Sequence, residues 1–148
     1  MMINYIKGNA VEPIGKGKKA IVHICNNIGL WGAGFVLAVS RKWPKTKIEF
    51  KSKEFKLGDI QIIEVEKDIV VINMIAQNGI FSRDNLVPIN YDALKKCLKQ
   101  VNEFAYFNDY SVHMPKIGTG LAKGKWEIIE EIINDRLRDT IVNVYELF

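Results

Sequence analysis

Two short runs of apolar, largely β-branched residues constrain the fold most strongly. Residues 20–24 read AIVHI and residues 69–75 read IVVINMI. Runs of this length and composition are typical of strands that are covered on both faces, as the central strands of a parallel sheet are. The chain is therefore predicted to build its core around a sheet.

Helical periodicity alternates with these and other strand patterns. Residues 91–107 carry apolar side chains at three- and four-residue spacing and form the clearest predicted helix. Residues 35–42 and 126–137 predict two more helices, and residues 45–56 are predicted to be helical or irregular. The other predicted strands are residues 2–7, 60–66, 110–115 and 140–147. Residues 77–88 are predicted to form a long loop.

Because strands alternate with helices and one hairpin lies in the middle, the order predicts a mixed six-stranded sheet with helices on both faces. The length of 148 residues is typical of one domain, so residues 1–148 are predicted to form a single α/β unit.

Charge and composition favour an intracellular protein with an anionic partner. The net charge is +4, which favours phosphates or nucleotides, although lysines spread over the chain also fit a solvated surface. We find no signal-peptide pattern and no apolar run long enough to span a membrane, so we expect a cytoplasmic protein without a membrane partner. We also expect a monomer.

The cysteines and histidines predict neither a disulfide framework nor a metal site. Cys25 and Cys97 are the only cysteines, and both lie in apolar patterns typical of a core. His23 and His113 belong to no cluster with zinc-ligand spacing, and we interpret His113 as structural. No metal and no cofactor are therefore expected.

Two glycine-bearing turns, residues 25–34 and residues 116–124, follow predicted strands. Ligands of open α/β sheets bind beyond the carboxyl ends of the strands, and glycine lets backbone N–H groups approach an anion. Two such loops can hold the two phosphates of a pyrophosphate. Each turn alone also fits a tight connection, and neither has the spacing of a Walker A loop.

The three blocks at residues 23–34, 73–77 and 112–121 occur in an order that resembles a known family. The first reads HICNNIGLWGAG, the second NMIAQ, and the third VHMPKIGTGL, with Trp126 beyond it. Together they are similar to macrodomains, in the branch of the yeast and phage-type ADP-ribose-1″-phosphate phosphatases and the terminal ADP-ribose protein glycohydrolase. The resemblance implies a three-layer α-β-α macrodomain with an ADP-ribose cleft at the carboxyl edge of its sheet.

The resemblance also implies which residues contact ADP-ribose. Asn9 corresponds to an adenine-binding position, although asparagine there also fits a turn. Asn26 would lie near the distal ribose, or would only tie the first loop together. Trp31 would cover the sugar or simply pack. The remaining implied contacts are Gly29, Gly32, Ala33 and Gly34 in the first loop and Gly118, Thr119, Gly120, Leu121 and Ala122 in the second.

His23 and Asn26 are the candidate catalytic residues. A histidine at the position of His23 is associated with activity in phosphatase-like macrodomains, and imidazole titrates near neutrality. A buried, hydrogen-bonded histidine is the alternative. The lysine and aspartate of the glutamate-specific glycohydrolases appear here as Gln77 and Ala122, which cannot supply that lysine mechanism.

Together with these departures, the resemblance implies removal of phosphate from ADP-ribose 1″-phosphate. The alternatives are a non-catalytic reader of free or protein-linked ADP-ribose and a de-ADP-ribosylating hydrolase that does not use the lysine mechanism. The expected partners are ADP-ribose or its 1″-phosphate and an ADP-ribosylated protein. A nucleic-acid partner is not expected, because no row of aromatic residues lies on a basic face.

Overall fold

The computed structural model describes residues 3–147, which form six strands and four helices. In chain order the elements are β1 (Asn4–Lys7), β2 (Lys18–Asn26), α1 (Phe35–Lys42), α2 (Lys45–Lys51), β3 (Ile60–Glu66), β4 (Ile69–Gln77), α3 (Tyr91–Asn108), β5 (Tyr110–Pro115), α4 (Trp126–Arg136) and β6 (Val142–Glu146).

All six strands form one mixed sheet in the order β1-β6-β5-β2-β4-β3, as predicted. Neighbouring strands are parallel except for β3, which runs antiparallel to β4 through the predicted hairpin. The two apolar runs lie in β2 and β4, which pair with each other near the middle of the sheet. Their continuous apolar character follows from this central position, because helices cover both of their faces.

Helices cover both faces of the sheet and give the predicted three layers. Side chains alternate along β2, so that Ala20 and Val22 pack with α3 and α4, whereas Ile21 and Cys25 pack with α1 and α2. This alternation follows from the two-residue repeat of a strand. The apolar stripe of α3 is buried as its periodicity predicted.

The predicted boundaries were wrong at the ends of several elements. β2 begins at Lys18 and ends at Asn26, because Lys18, Lys19 and Asn26 still pair through their backbones. β6 begins at Val142 and ends at Glu146, inside the predicted 140–147. The segment 45–56, predicted to be helical or irregular, contains the short helix α2, which ends at Lys51. β1 begins at Asn4, and Met2 of the predicted strand lies outside the described residues.

Candidate functional site

The parallel strands bring the two glycine-bearing turns together at one edge of the sheet. β2 lies between β5 and β4, and all three run in the same direction. The turn after β2 (loop 1, residues 27–34) is therefore flanked by the turn after β5 (loop 2, residues 116–125). On its other side lies the segment between β4 and α3 (the 78–90 segment).

A cleft of about 470 Å³ opens where loop 1, loop 2 and the 78–90 segment meet. It receives side chains from both glycine loops and also from α1 and α2. The lining residues are Ile24, Cys25, Asn26, Leu30, Trp31, Gly32, Ala33, Val36, Lys47, Lys51, Gln77, Ile80, Phe81 and Leu121. The structure thus brings together five of the predicted site residues, namely Asn26, Trp31, Gly32, Ala33 and Leu121.

Asn26 ties loop 1 into its conformation. Its Oδ1 accepts hydrogen bonds from the backbone N–H groups of Ile28 (3.1 Å) and Leu30 (3.0 Å). Its Nδ2 donates to the Leu30 carbonyl at 2.8 Å. Asn26 therefore does hold loop 1 together, which was the alternative to a ligand contact. Since an amide nitrogen carries two hydrogens, one Nδ2 hydrogen has no protein acceptor among residues 3–147.

Loop 2 is held against the core by Gly118 and Gly124. Gly118 has φ 75°, and a Cβ there would lie 2.6 Å from Ile89 Cδ1 and 2.9 Å from Ile129 Cδ1. The Gly124 N–H donates to the Gly118 carbonyl at 2.6 Å. Packing and conformation therefore require glycine at Gly118, and packing alone requires it at Gly124, where a Cβ would lie 2.7 Å from the Gly118 carbonyl oxygen.

Gly32 and Gly120 differ from these glycines. Neither has a positive φ, and a Cβ at either position would meet nothing within 4 Å. The fold itself therefore does not require glycine at these two positions. Gly32 lies in loop 1 and lines the cleft. Gly120 lies in loop 2 and does not itself line the cleft, although its chain neighbour Leu121 does.

The other predicted contacts in the loops have structural roles that the structure shows directly. Gly29 and Gly34 both adopt positive φ, which favours glycine in a turn. Thr119 Oγ1 donates to the Lys116 carbonyl at 2.8 Å. Ala122 is 5% exposed, and its carbonyl accepts from the Ile89 N–H. None of these four residues lines the cleft.

Asn9 follows β1 and forms a turn. Its Oδ1 accepts a hydrogen bond from the Val11 N–H at 3.1 Å, and its carbonyl accepts from the Glu12 N–H. Asn9 is not among the residues that line the cleft. The turn interpretation of this residue is the one that the structure supports.

His23 lies outside the cleft, within the core on the α1 and α2 face. It is 1% exposed, and its Nε2 lies 2.5 Å from Asn73 Oδ1, while its ring packs against those of Trp31 and Phe35. Burial lowers the pKa of His23 to about 4, so the ring is neutral at pH 7. This geometry argues against direct catalysis and favours the buried, hydrogen-bonded alternative.

Trp31 is also mainly a packing residue. It is 3% exposed and lies against Phe50, with ring centroids 5.3 Å apart. Its edge nevertheless reaches the cleft wall. Trp31 Nε1 and His23 Nδ1 are both buried without a hydrogen-bond partner in the described residues.

Gln77 and Ala122 supply no acid or base, as their types imply. Gln77 lines the cleft, and its Nε2 donates to the Gly79 carbonyl at 3.0 Å. Ala122 belongs to loop 2, and its side chain is buried in the core. His113 is structural, as interpreted, because its Nδ1 lies 2.7 Å from the Tyr145 hydroxyl and its Nε2 lies 2.8 Å from Ser111 Oγ.

Sequence reasoning missed several residues of the cleft wall, among them Lys47, Lys51, Ile80 and Phe81. The two lysines belong to a segment in which charged residues are frequent, so their type carried no signal. Ile80 and Phe81 are 44% and 42% exposed in a segment predicted only as a loop. Two adjacent large apolar residues in a segment predicted as a polar loop were the signal that the sequence offered.

Comparison with solved structures identifies the family. The chain superposes on a macrodomain protein from Streptomyces coelicolor with a TM-score of 0.85 and 40% sequence identity, covering 98% of this chain and 99% of that one. This chain is a macrodomain. A protein of unknown function from Bacteroides thetaiotaomicron superposes on this macrodomain with a TM-score of 0.94 and 47% identity, covering 100% and 99% of the two chains.

A curated relative of this macrodomain has a named activity. The ADP-ribose 1″-phosphate phosphatase of Candida albicans is 27% identical over 145 residues, which cover 90% of this chain and 93% of the yeast protein. No protein-family model matches the sequence.

Three lysines give the macrodomain cleft a basic rim. Lys47 and Lys51 line the cleft from α2. Lys123 Nζ lies 4.9 Å from the centre of the Phe81 ring, so loop 2 contacts the 78–90 segment beside the cleft.

Within residues 3–147 no group of acidic, histidine and cysteine side chains is arranged to hold a metal ion, and no helix could cross a membrane.

Proposed function

We propose that this macrodomain binds ADP-ribose in its cleft and hydrolyses an ADP-ribose derivative, with ADP-ribose 1″-phosphate as the substrate. The observation that carries the binding proposal is the pair of open glycines, Gly32 and Gly120. Because neither packing nor backbone conformation requires glycine there, a ligand that approaches the backbone closely supplies the missing reason.

The lining of the cleft fits this ligand in charge and polarity. Lys47, Lys51 and Lys123 supply positive charge for a pyrophosphate, and Phe81 and Leu30 supply apolar surface for a base or a sugar. The named activity of the Candida albicans relative supports the choice of the 1″-phosphate as substrate.

In the proposed reaction, water attacks the phosphorus of the 1″-phosphate. A bond forms between phosphorus and the water oxygen, the bond between phosphorus and the ribose oxygen breaks, and the ribose oxygen takes up a proton. Asn26 would contact the distal ribose through its remaining Nδ2 hydrogen. Backbone donors of the loops would orient the phosphates, which lowers the barrier through positioning. His23 would act only by supporting Trp31 behind loop 1.

Titration calorimetry with ADP-ribose tests the binding proposal. We expect Gly32→Ala and Gly120→Ala to keep the thermal midpoint of the wild type while weakening ADP-ribose binding about tenfold, which is ~1.4 kcal/mol. Unchanged affinity in both variants would refute the proposed site.

Release of phosphate from the 1″-phosphate by the purified protein tests the catalytic proposal.

A non-catalytic reader of ADP-ribose is the second candidate. The burial of His23 and the presence of Gln77 and Ala122 favour it, because none of the three supplies an acid or base to the cleft. ADP-ribose binding without phosphate release would establish the reader. A wild-type protein that binds and turns over would exclude it.

A further inference from the structure

A second cavity, of about 560 Å³, adjoins the cleft. The cleft is lined by residues 30–33 of loop 1, whereas this cavity is lined by residues 27–29 and by the segment that follows α2. Asn26 and Lys51 line both spaces. The complete lining of the second cavity is Asn26, Asn27, Ile28, Gly29, Lys51, Lys53, Glu54 and Phe55.

The second cavity carries a net positive charge. Lys51 and Lys53 contribute two ammonium groups, and Glu54 contributes one carboxylate. No ion pair within residues 3–147 engages either lysine. Their charges therefore act on whatever enters the cavity, with only Glu54 opposing them there.

Lys51 is held at the junction of the two spaces. Its Nζ donates to the Gly29 carbonyl at 3.0 Å, which fixes the ammonium beside loop 1. An ammonium carries three N–H donors, so two remain for a ligand. Ordering the side chain before a ligand arrives reduces the entropy that binding costs.

We infer that the second cavity is the subsite for the phosphate carried on the distal ribose, with Lys51 and Lys53 as the residues that determine specificity for it. This inference rests on the proposed function, in which the distal ribose lies at Asn26. A group attached to that ribose then has the second cavity directly beside it. A phosphate monoester carries nearly two negative charges at neutral pH and forms strong hydrogen bonds with ammonium groups.

The charges of the cavity predict opposite effects for opposite substitutions. Lys53→Gln removes a positive charge from a side chain that makes no hydrogen bond within the described residues, so loop 1 stays in place. We expect this variant to bind the 1″-phosphate about tenfold more weakly and ADP-ribose with unchanged affinity. Lys51→Gln should weaken binding of both ligands, and of the 1″-phosphate more, because Lys51 also lines the cleft and donates to the Gly29 carbonyl of loop 1. Glu54→Gln removes the opposing carboxylate and should strengthen binding of the 1″-phosphate alone.

The test measures the dissociation constants of ADP-ribose and ADP-ribose 1″-phosphate for each variant, with initial rates if the phosphate is released. Lys56→Gln is the matched control, because it removes an exposed charge three residues beyond Lys53 and outside the cavity. As a second probe, inorganic phosphate is titrated into the ADP-ribose-saturated protein. We expect Lys53→Gln to weaken its binding as well.

The outcomes separate this inference from the proposed function. Equal losses for both ligands in Lys53→Gln and Lys51→Gln, or no loss in either variant, would overturn the phosphate subsite while ADP-ribose binding stood. A wild-type protein that binds no ADP-ribose would overturn both. Selective loss for the phosphate-bearing ligand, with a gain in Glu54→Gln, would support the subsite.

Discussion

At the scale of single residues, Asn26 links the order of loop 1 to the cleft. Three hydrogen bonds from its side chain reach Ile28 and Leu30, and the residue is 8% exposed. Loop 1 therefore depends on one polar side chain at the end of β2. Since the same side chain lines both the cleft and the second cavity, its loss should affect the binding surface more than the core.

We predict that Asn26→Ala lowers the free energy of unfolding by about 1–3 kcal/mol and abolishes measurable ADP-ribose binding. Asn102→Ala is the control. It removes two side-chain hydrogen bonds, both to Asp139, where Asn26→Ala removes three, and it lies on α3 away from the cleft. Chemical denaturation and calorimetry would measure both quantities. Equal binding by Asn26→Ala and the wild type would contradict this role.

The two buried histidines make stability depend on pH. Burial lowers the pKa of His23 to about 4, and burial together with the charge of Lys19 lowers the pKa of His113 to about 4. The ordinary histidine pKa is 6.5, so between these values the unfolded chain binds more protons than the folded one. Folding stability should be fully present above pH 6.5 and should fall progressively toward pH 4.

Urea unfolding between pH 7.5 and pH 4.5 would measure this dependence. The free energy of unfolding should fall by a few kcal/mol in the wild type, and His23→Gln and His113→Gln should each flatten part of that slope. The carboxylates common to all three proteins provide the baseline. Identical slopes in the wild type and both variants would show that the histidines are not the cause.

At the scale of elements, loop 2 contains two kinds of glycine. Gly118 is enclosed by the ends of Ile24, Ile89 and Ile129, whereas Gly120 faces open space. Gly118 therefore packs against the core beneath loop 2, whereas Gly120 lies on the exposed side of the loop. A glycine that packing requires and a glycine that packing does not require therefore lie within three residues of one loop.

We predict that Gly118→Ala destabilises the protein by about 2 kcal/mol, because a methyl group there strains a positive φ and crowds the three isoleucines. Gly120→Ala should leave stability within about 0.5 kcal/mol of the wild type. Thermal unfolding of the two variants side by side checks the pair. A Gly118→Ala protein as stable as Gly120→Ala would refute this account of the packing.

At the scale of the whole molecule, the sheet separates two cores. Cys97 packs with α3 and α4 on one face, and Cys25 packs with α1 and α2 on the other. Both thiols are buried and free, and burial raises the pKa of each. A thiol that is neither exposed nor ionised does not react with a thiol reagent.

Each cysteine should therefore report the opening of its own face of the sheet. We predict negligible modification by a disulfide reagent in the native protein at pH 8 and two modified thiols per chain in denaturant. Mass spectrometry of Cys25→Ser and Cys97→Ser would assign the rate of each site. Rapid modification of either thiol under native conditions would contradict the burial.

Sequence reasoning predicted the fold well because its signals are local. The apolar runs of β2 and β4, the periodic stripe of α3 and the glycine turns each depend on residues near one another in the chain. The boundaries of β2 were missed because Lys18 and Lys19 pair through backbone groups while their side chains carry no apolar signal. The motif order also predicted the family, which the Streptomyces coelicolor structure confirms.

By itself, then, the sequence determined the alternation of elements, the mixed sheet with two covered faces and the two loops at its carboxyl edge. Only the tertiary structure decided which groups the candidate site residues contact. It buried His23 beside Asn73, tied Asn26 to Leu30, and brought Lys51 of α2 to Gly29 of loop 1. These contacts depend on the direction of each side chain and on which distant segments meet in the fold. Residue type and periodicity predict neither the directions nor the meetings of segments.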